Sequence, residues 1–197
     1  MIKEITTRRS IRKYAATPVP RAVLEEIIEA GILAPSSKNR QPWHFIVVTG
    51  AAKAEMVTVM GLGLDREAQT PLLPESAPYL AGARQTRDIM NQAGAVIFVV
   101  NTLGFEIHQP LETEDRISEI CNVQSIGAAI ENMTLTATSL GYGSLWICDF
   151  YFAYGELRNW LETDGELVAA LAVGVAAEEP APRPRRTLAA CTVWRDR

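Results

Sequence analysis

Ile126-Gly127-Ala128-Ala129-Ile130-Glu131-Asn132-Met133-Thr134-Leu135-Thr136-Ala137-Thr138-Ser139-Leu140 is the stretch that decides the architecture. Nearly every position is apolar or small, and no polar face emerges at helical spacing. The pattern extends back to Arg116, which predicts one helix over residues 116–140. A helix without a wet side must be covered all round. A chain of 197 residues rarely encloses so long a helix unaided. The covering is either an ordinary core or a second copy of the chain. Burial against a second subunit is the reading taken, an isologous dimer being the commonest arrangement.

Outward from this helix, residues 95–100 form a continuous apolar run and read as a buried strand. Residues 101–115, with Gly104, Pro110 and several acids, read as a surface loop. Gly141 and Gly143 close the helix, residues 144–149 follow as a strand, 155–162 as a short helix and 168–176 as another strand. Nearer the N-terminus, Val23, Leu24, Ile27, Ile28, Gly31 and Ile32 share one helical face, with Glu25, Glu26 and Glu29 opposite. Pro20 suits the first turn of this helix and Pro35 ends it. A polar loop, 35–42, leads into a strand over 43–49 that is rich in aromatic and β-branched residues. Residues 51–60 and 79–92 read as helices, and 61–78, punctuated by glycine and proline, as loop. Helices and strands mix without strict βαβ alternation, which favours an α+β fold with a largely antiparallel sheet, in one domain over 1–197.

Charge is unevenly distributed. Residues 1–13 carry five basic side chains and one acidic, and residues 181–197 carry the same, whereas 14–180 carry nine basic and 21 acidic. Arg8, Arg9, Arg12 and Lys13 crowd around Ser10, and Arg183, Arg185 and Arg186 sit in a proline-rich tether. Guanidinium forks and a hydroxyl suit phosphate oxygens. Like-charged ends either stay apart in water or converge on something negative. With a total of −4 and no basic stripe interleaved with aromatics, nucleic acid is not the expected partner. No apolar run reaches membrane-spanning length and no signal peptide opens the chain. Cys121, Cys148 and Cys191 form no CxxC pair, so neither a disulfide framework nor a metal site is expected, and a reduced, cytoplasmic setting follows. His44 and His108 have no metal-ligand partner at useful spacing, and each is assigned a structural or solvated role. The last piece, 191–195, reads as a short strand able to pair with a neighbouring chain.

There is no GxSxG elbow, HExxH pair or Walker loop, and Gly141-x-Gly143 lacks the third glycine of a dinucleotide fingerprint. Phosphate donors with few catalytic side chains suggest that a cofactor does the hard chemistry. Four blocks then carry a resemblance. Arg8-Arg9-Ser10-Ile11-Arg12, Ala34-Pro35-Ser36-Ser37-Lys38-Asn39-Arg40-Gln41-Pro42-Trp43, Gln124 to Asn132 running on to Leu140-Gly141-Tyr142-Gly143-Ser144-Leu145-Trp146-Ile147, and Arg183-Pro184-Arg185 resemble, in order, the signatures of the FMN-dependent nitroreductase family.

The resemblance implies a homodimer with a central antiparallel sheet flanked by helices, the C-terminal strand of each subunit exchanged onto its partner, and FMN at the interface. Arg8 and Ser10, with Arg9 beside them, would hold the FMN phosphate, and Arg183 and Arg185 would close on it. Which two of Arg183, Arg185 and Arg186 bind stays open. Pro35, Ser36, Ser37 and Asn39 would reach the flavin from the partner. Gly143, Ser144, Leu145, Trp146 and Ile147 would line the ring, and Arg12 would stand near its N1–C2 edge. Arg66, Arg84 and Gln124 are further possible contacts. Cys148-Asp149-Phe150 departs from the family's glycine-containing stretch, which leaves the substrate face open. No side chain is assigned as catalytic, because flavin N5 would carry hydride from NADH or NADPH to a flat acceptor such as a nitroaromatic or quinone. The rivals are a dehalogenase- or dehydrogenase-like flavoenzyme with a lid at 61–78 or 101–115, and a non-catalytic flavin-binding protein.

Overall fold

Strands β1 (Trp43–Val48), β2 (Ala95–Asn101), β3 (Gly143–Ile147) and β4 (Glu166–Gly174) form one antiparallel sheet in the order β1-β2-β4-β3 in the computed structural model, which describes residues 1–196. The two central strands are the most apolar. Every residue of β2 is buried, and β4 is buried at all positions but Val168. Strands covered on both faces read as unbroken apolar runs, as residues 95–100 did. In register, Trp43 faces Asn101, Ala95 faces Val173 and Gly143 faces Gly174, with a shift between Val99 and Val100.

Each sheet face carries its own core. On one, Phe98, Val100, Ala170 and Ala172 pack with Met56, Met60 and Leu64 of α3 (Ala52–Gln69), Met90 of α4 (Leu80–Gln92) and Leu157 of α6 (Tyr154–Trp160). On the other, Ile97, Val99, Leu171 and Val173 meet Leu24 and Ile27 of α2 (Arg21–Ile32) and Ile126, Ile130 and Met133 of α5 (Thr113–Ser139). α1 (Lys3–Thr7) and α7 (Leu188–Cys191) are short and exposed. Among the described residues, no helix is long and apolar enough to cross a membrane.

Three expectations change. The 61–78 loop is half helix, since α3 runs through both glycines to Gln69. Gly63 is there for closeness: a Cβ on it would stand 2.3 Å from the Cβ of Ala153. The apolar half of α5 is covered largely by its own chain, with Ile126, Ala129, Ile130, Met133 and Ala137 fully buried. Gly31 of α2 lets Met133 approach, a Cβ there lying 2.9 Å from Met133 Cγ. The uncovered apolar residues lie instead in the first half of α5, where Ile117, Ile120 and Val123 are exposed. Finally, Cys191 ends α7 instead of opening a strand, and residues 192–196 pair with no strand of their own chain, leaving Val193 and Trp194 bare.

Candidate functional site

The segment after α1 brings the two basic ends together. Ser10 bridges Ser144 in parallel, and the Ile11 N–H donates to the Ser144 carbonyl at 3.0 Å. Further on, Ala15 N–H donates to Val175 O and Ala177 N–H to Lys13 O, both at 2.9 Å. Residues 10–15 thus zip against the start of β3 and the exit of β4. Gly143 permits this, because a Cβ on it would lie 2.8 Å from Ile11 Cγ1.

The zipped ends border a cleft of about 370 Å³, with Arg8, Arg9, Ser10 and Arg12 on one side and Arg183 and Arg185 on the other. Arg186 turns away and donates to the Ala190 carbonyl, so the tether arginines that line the cleft are Arg183 and Arg185. Two carboxylates stand close: Arg8 Nε lies 3.8 Å from Glu131 Oε1, and the Arg12 backbone N–H donates to Glu178. Arg9 donates to the carbonyls of Thr6 at 2.9 Å and Arg8 at 2.8 Å, and Arg185 donates to those of Arg183 and Pro184, each at 3.3 Å. Five guanidiniums against two carboxylates leave an excess of positive charge. Such a cleft suits a multiply charged anion with several acceptor oxygens, as a phosphate monoester is.

The other predicted residues lie elsewhere. Ser37 and Asn39 belong to a single 3-10 turn in which Lys38 and Asn39 have positive φ, near 50°, as does Gln41 just beyond it. Non-glycine residues persist in that region only where neighbours impose it. Here the Gln41 N–H donates to Ser36 Oγ at 3.0 Å and the Ser37 N–H to Ser125 Oγ at 3.2 Å. The loop of Pro35, Ser36, Ser37 and Asn39 is therefore anchored to α5 at Ser125 through Ser37, while Arg8 reaches α5 at Glu131. Six helical residues separate those points by roughly 9 Å along the axis and about a third of a turn around it. The cleft does not include the loop.

On β3 the side chains of Ser144, Leu145 and Ile147 are buried, so Trp146, 41% exposed, is the one β3 side chain open to a ligand. Ser144, Leu145 and Ile147 would therefore reach a ring through their backbone. A Cβ on Gly127 would lie 3.8 Å from Trp146 Cη2, which places the indole beside α5. Of the further contacts considered, Arg66 is paired with Glu156 at 2.9 Å and with Glu67, and Arg84 with Asp65 at 2.7 Å; Gln124 is exposed on α5. His44 is exposed on β1, and the His108 ring stands edge-on to Tyr154 with centroids 6.5 Å apart. No group of metal-ligating side chains occurs among the described residues.

One feature escaped the sequence. A second cavity, of about 290 Å³, opens where the 105–111 segment crosses the start of β4, and Glu119, Tyr151 and Glu166 line it. Burial, then the charges of Glu106 and Glu119, push the Glu166 carboxyl up to about 7, against a smaller opposing effect of the Ile107 N–H. The only sequence signal was a lone acid heading an otherwise apolar strand.

Fold and cleft together define an α+β protein with an arginine-rich cleft built from residues 8–12 and 183–185. Residues 5–175 match the model of the Nitroreductase family, and the chain belongs to that family. It is 33% identical, over 149 residues and 74% of its length, to an Archaeoglobus fulgidus protein provisionally named NADH dehydrogenase/NAD(P)H nitroreductase. It spans 66% of that relative's length and 59% of a second archaeal relative's. A 4-nitrobenzoate reductase of Pseudomonas putida is 26% identical over 193 residues, covering 88% of this chain and 84% of that one. Among solved structures, a Desulfovibrio desulfuricans nitroreductase homologue in complex with FMN superposes with a TM-score of 0.72 at 27% identity, covering 98% of this chain and 95% of that one.

Proposed function

We propose that the chain is an FMN-dependent NAD(P)H oxidoreductase acting on flat acceptors such as nitroaromatics or quinones, working as a cytoplasmic homodimer. The observation that carries this is the meeting of Arg8, Arg9, Ser10 and Arg12 with Arg183 and Arg185 at one cleft, in a chain of this family. The donor set fits the FMN phosphate: forked cations and a hydroxyl, with Glu131 only loosely held to Arg8 at 3.8 Å and so displaceable by a dianion. When bound, FMN supplies the two-electron redox chemistry through N5. The protein's own groups then bind, orient and exclude. Trp146, two residues beyond the Ser144 that bridges Ser10, offers a flat apolar surface, and Arg12 a fixed positive charge that would favour the reduced, anionic ring.

A second copy would complete the pocket. The strained loop carrying Ser36, Ser37 and Asn39 is held away from its own chain's cleft and presents Asn39 to solvent. Ile117, Ile120, Val193 and Trp194 are apolar side chains without cover, as expected of surfaces that pair. The C-terminal segment carrying Val193 and Trp194 would supply the exchanged strand. β1 is an edge strand of the sheet and is able to receive it.

The deciding experiment is the absorption spectrum of the purified protein followed by anaerobic addition of NADH or NADPH. A flavin spectrum that bleaches with either nucleotide is expected. A bound flavin that neither nucleotide bleaches would leave a binding protein, and a colourless protein that takes up no FMN would end the reading.

A further inference from the structure

Three features follow one another along α5 at four-residue intervals. Glu131 meets Arg8 at the cationic cleft, Gly127 faces the exposed Trp146, and Val123 and Glu119 line the second cavity. Glu131 and Glu119 are about 18 Å apart along the helix axis and about a third of a turn around it, so the track winds gently about α5. The second cavity therefore lies at the far end of the track that begins at the phosphate cradle, with the indole between.

Its walls are apolar and aromatic, including Phe105, Leu111, Val123 and Tyr151, and its charge is acidic. Glu166 enters from β4, Glu119 from α5 and Glu106 from the crossing segment. Against them stand Arg116 on the wall and Arg158 of α6, whose Nη1 is 3.6 Å from Glu166 Oε1. Glu119 is occupied: its Oε1 accepts from Asn101 Nδ2 at 3.1 Å and its Oε2 from the Phe105 N–H at 3.4 Å. The Tyr151 hydroxyl donates to the Val168 carbonyl at 3.4 Å. Glu166 differs: the Ile107 N–H stands near enough to its carboxyl to act on it, yet its residue is only 6% exposed and its Oε2 has no hydrogen-bond partner. Buried carboxylate oxygens are rarely left so, since the missing donor costs free energy.

We infer that this cavity recognises the electron acceptor and selects one that carries an ammonium group on a flat apolar body, the ammonium donating to Glu166, while carboxylate-bearing acceptors are excluded. The inference rests on the redox reading above for the word acceptor, but not for the charge preference. It also separates this chain from the relative named for 4-nitrobenzoate, an anion. Because Glu166 must be ionised to hold a cation and its carboxyl titrates near 7, affinity should rise with pH while the amine stays charged.

The test is calorimetric titration of the purified protein, with whatever flavin it carries, with benzylammonium and with benzoate. These probes share a ring and differ in the sign of their charge. Benzylammonium should bind about tenfold or more tightly, the worth of one charge-assisted hydrogen bond, and more tightly at pH 8 than at pH 6. Glu166→Gln should abolish the pH dependence and most of the preference. Glu106→Gln, on the surface segment, should weaken the preference and serves if the first variant does not fold. Equal affinities, a preference for benzoate, or a preference untouched by either variant would overturn the inference. Turnover of 4-nitrobenzylammonium no faster than that of 4-nitrobenzoate would overturn the acceptor role. A flavin that NAD(P)H fails to bleach defeats the preceding reading instead, and the titration still decides the charge preference.

Discussion

Arg183 and Arg185 project from a tether with no regular structure, yet both reach the cleft that Arg8 and Ser10 border. Replacing Arg183 by alanine should weaken FMN binding by roughly tenfold to a hundredfold, the range for one charge-assisted contact, as measured by fluorescence of released flavin. Arg186→Ala should leave FMN affinity nearly unchanged, since Arg186 faces Ala190. Arg12→Ala should lower the midpoint potential of bound FMN by removing a positive charge that favours the reduced ring; an unaltered potential in a variant that retains FMN would count against it. Glu166 sets a pH dependence of stability. Its carboxyl is raised from 4.5 to about 7, so the folded chain holds that proton more tightly than the unfolded one. Its contribution to stability therefore falls as pH rises from about 4.5 to 7. Glu166→Gln should flatten that part of the profile, by roughly 1–3 kcal/mol in denaturant titrations. The arginines were legible because charge asymmetry survives in composition. Glu166 was not, because the groups that perturb it come from about 45 to 60 positions away in the chain.

At the scale of elements, periodicity served well where one face is wet and misled where glycine acts as a spacer. Leu24, Ile27 and Gly31 are the buried side of α2, as their spacing indicated. In α3, Gly61 and Gly63 looked like loop punctuation, yet Met56, Met60 and Leu64 at four-residue intervals are fully buried and carry the helix through. Gly63→Ala tests this. Alanine would raise helix propensity by about 1 kcal/mol, but its Cβ would lie 2.6 Å from the Cα of Ala153. A net loss of roughly 1–3 kcal/mol is expected from overpacking, read from the midpoint of urea unfolding. A stabilised variant would mean that α3 and the 149–153 turn separate easily. α5 shows the same limit from the other side. Its all-round apolar pattern said that it must be covered, but not by what, and two partners in its own chain, the sheet and α2, take most of it.

For the molecule as a whole, the α+β class and antiparallel sheet could be read from the order of apolar runs, whereas the pairing order of the strands could not, because nothing local records which runs become neighbours. Assembly poses the remaining test. Deleting residues 187–197 removes Val193 and Trp194 while leaving the cleft's arginines in place. If the tail clasps a second copy, the shortened chain should sediment as a monomer and retain less FMN than the full chain. A shortened chain that remains a dimer with full FMN content would assign the tail no part in assembly. The cleft has one more consequence. Arg12 and Arg183 lie about 170 positions apart, so an anion gripped by both would draw nearly the entire polypeptide into a ring without a covalent closure. An unfolded chain cannot keep such a ring shut, because closing so long a loop costs entropy that only the folded contacts offset. Melting temperature should consequently climb with the concentration of free FMN, and a carboxypeptidase should be slow to trim past the tether until the anion leaves.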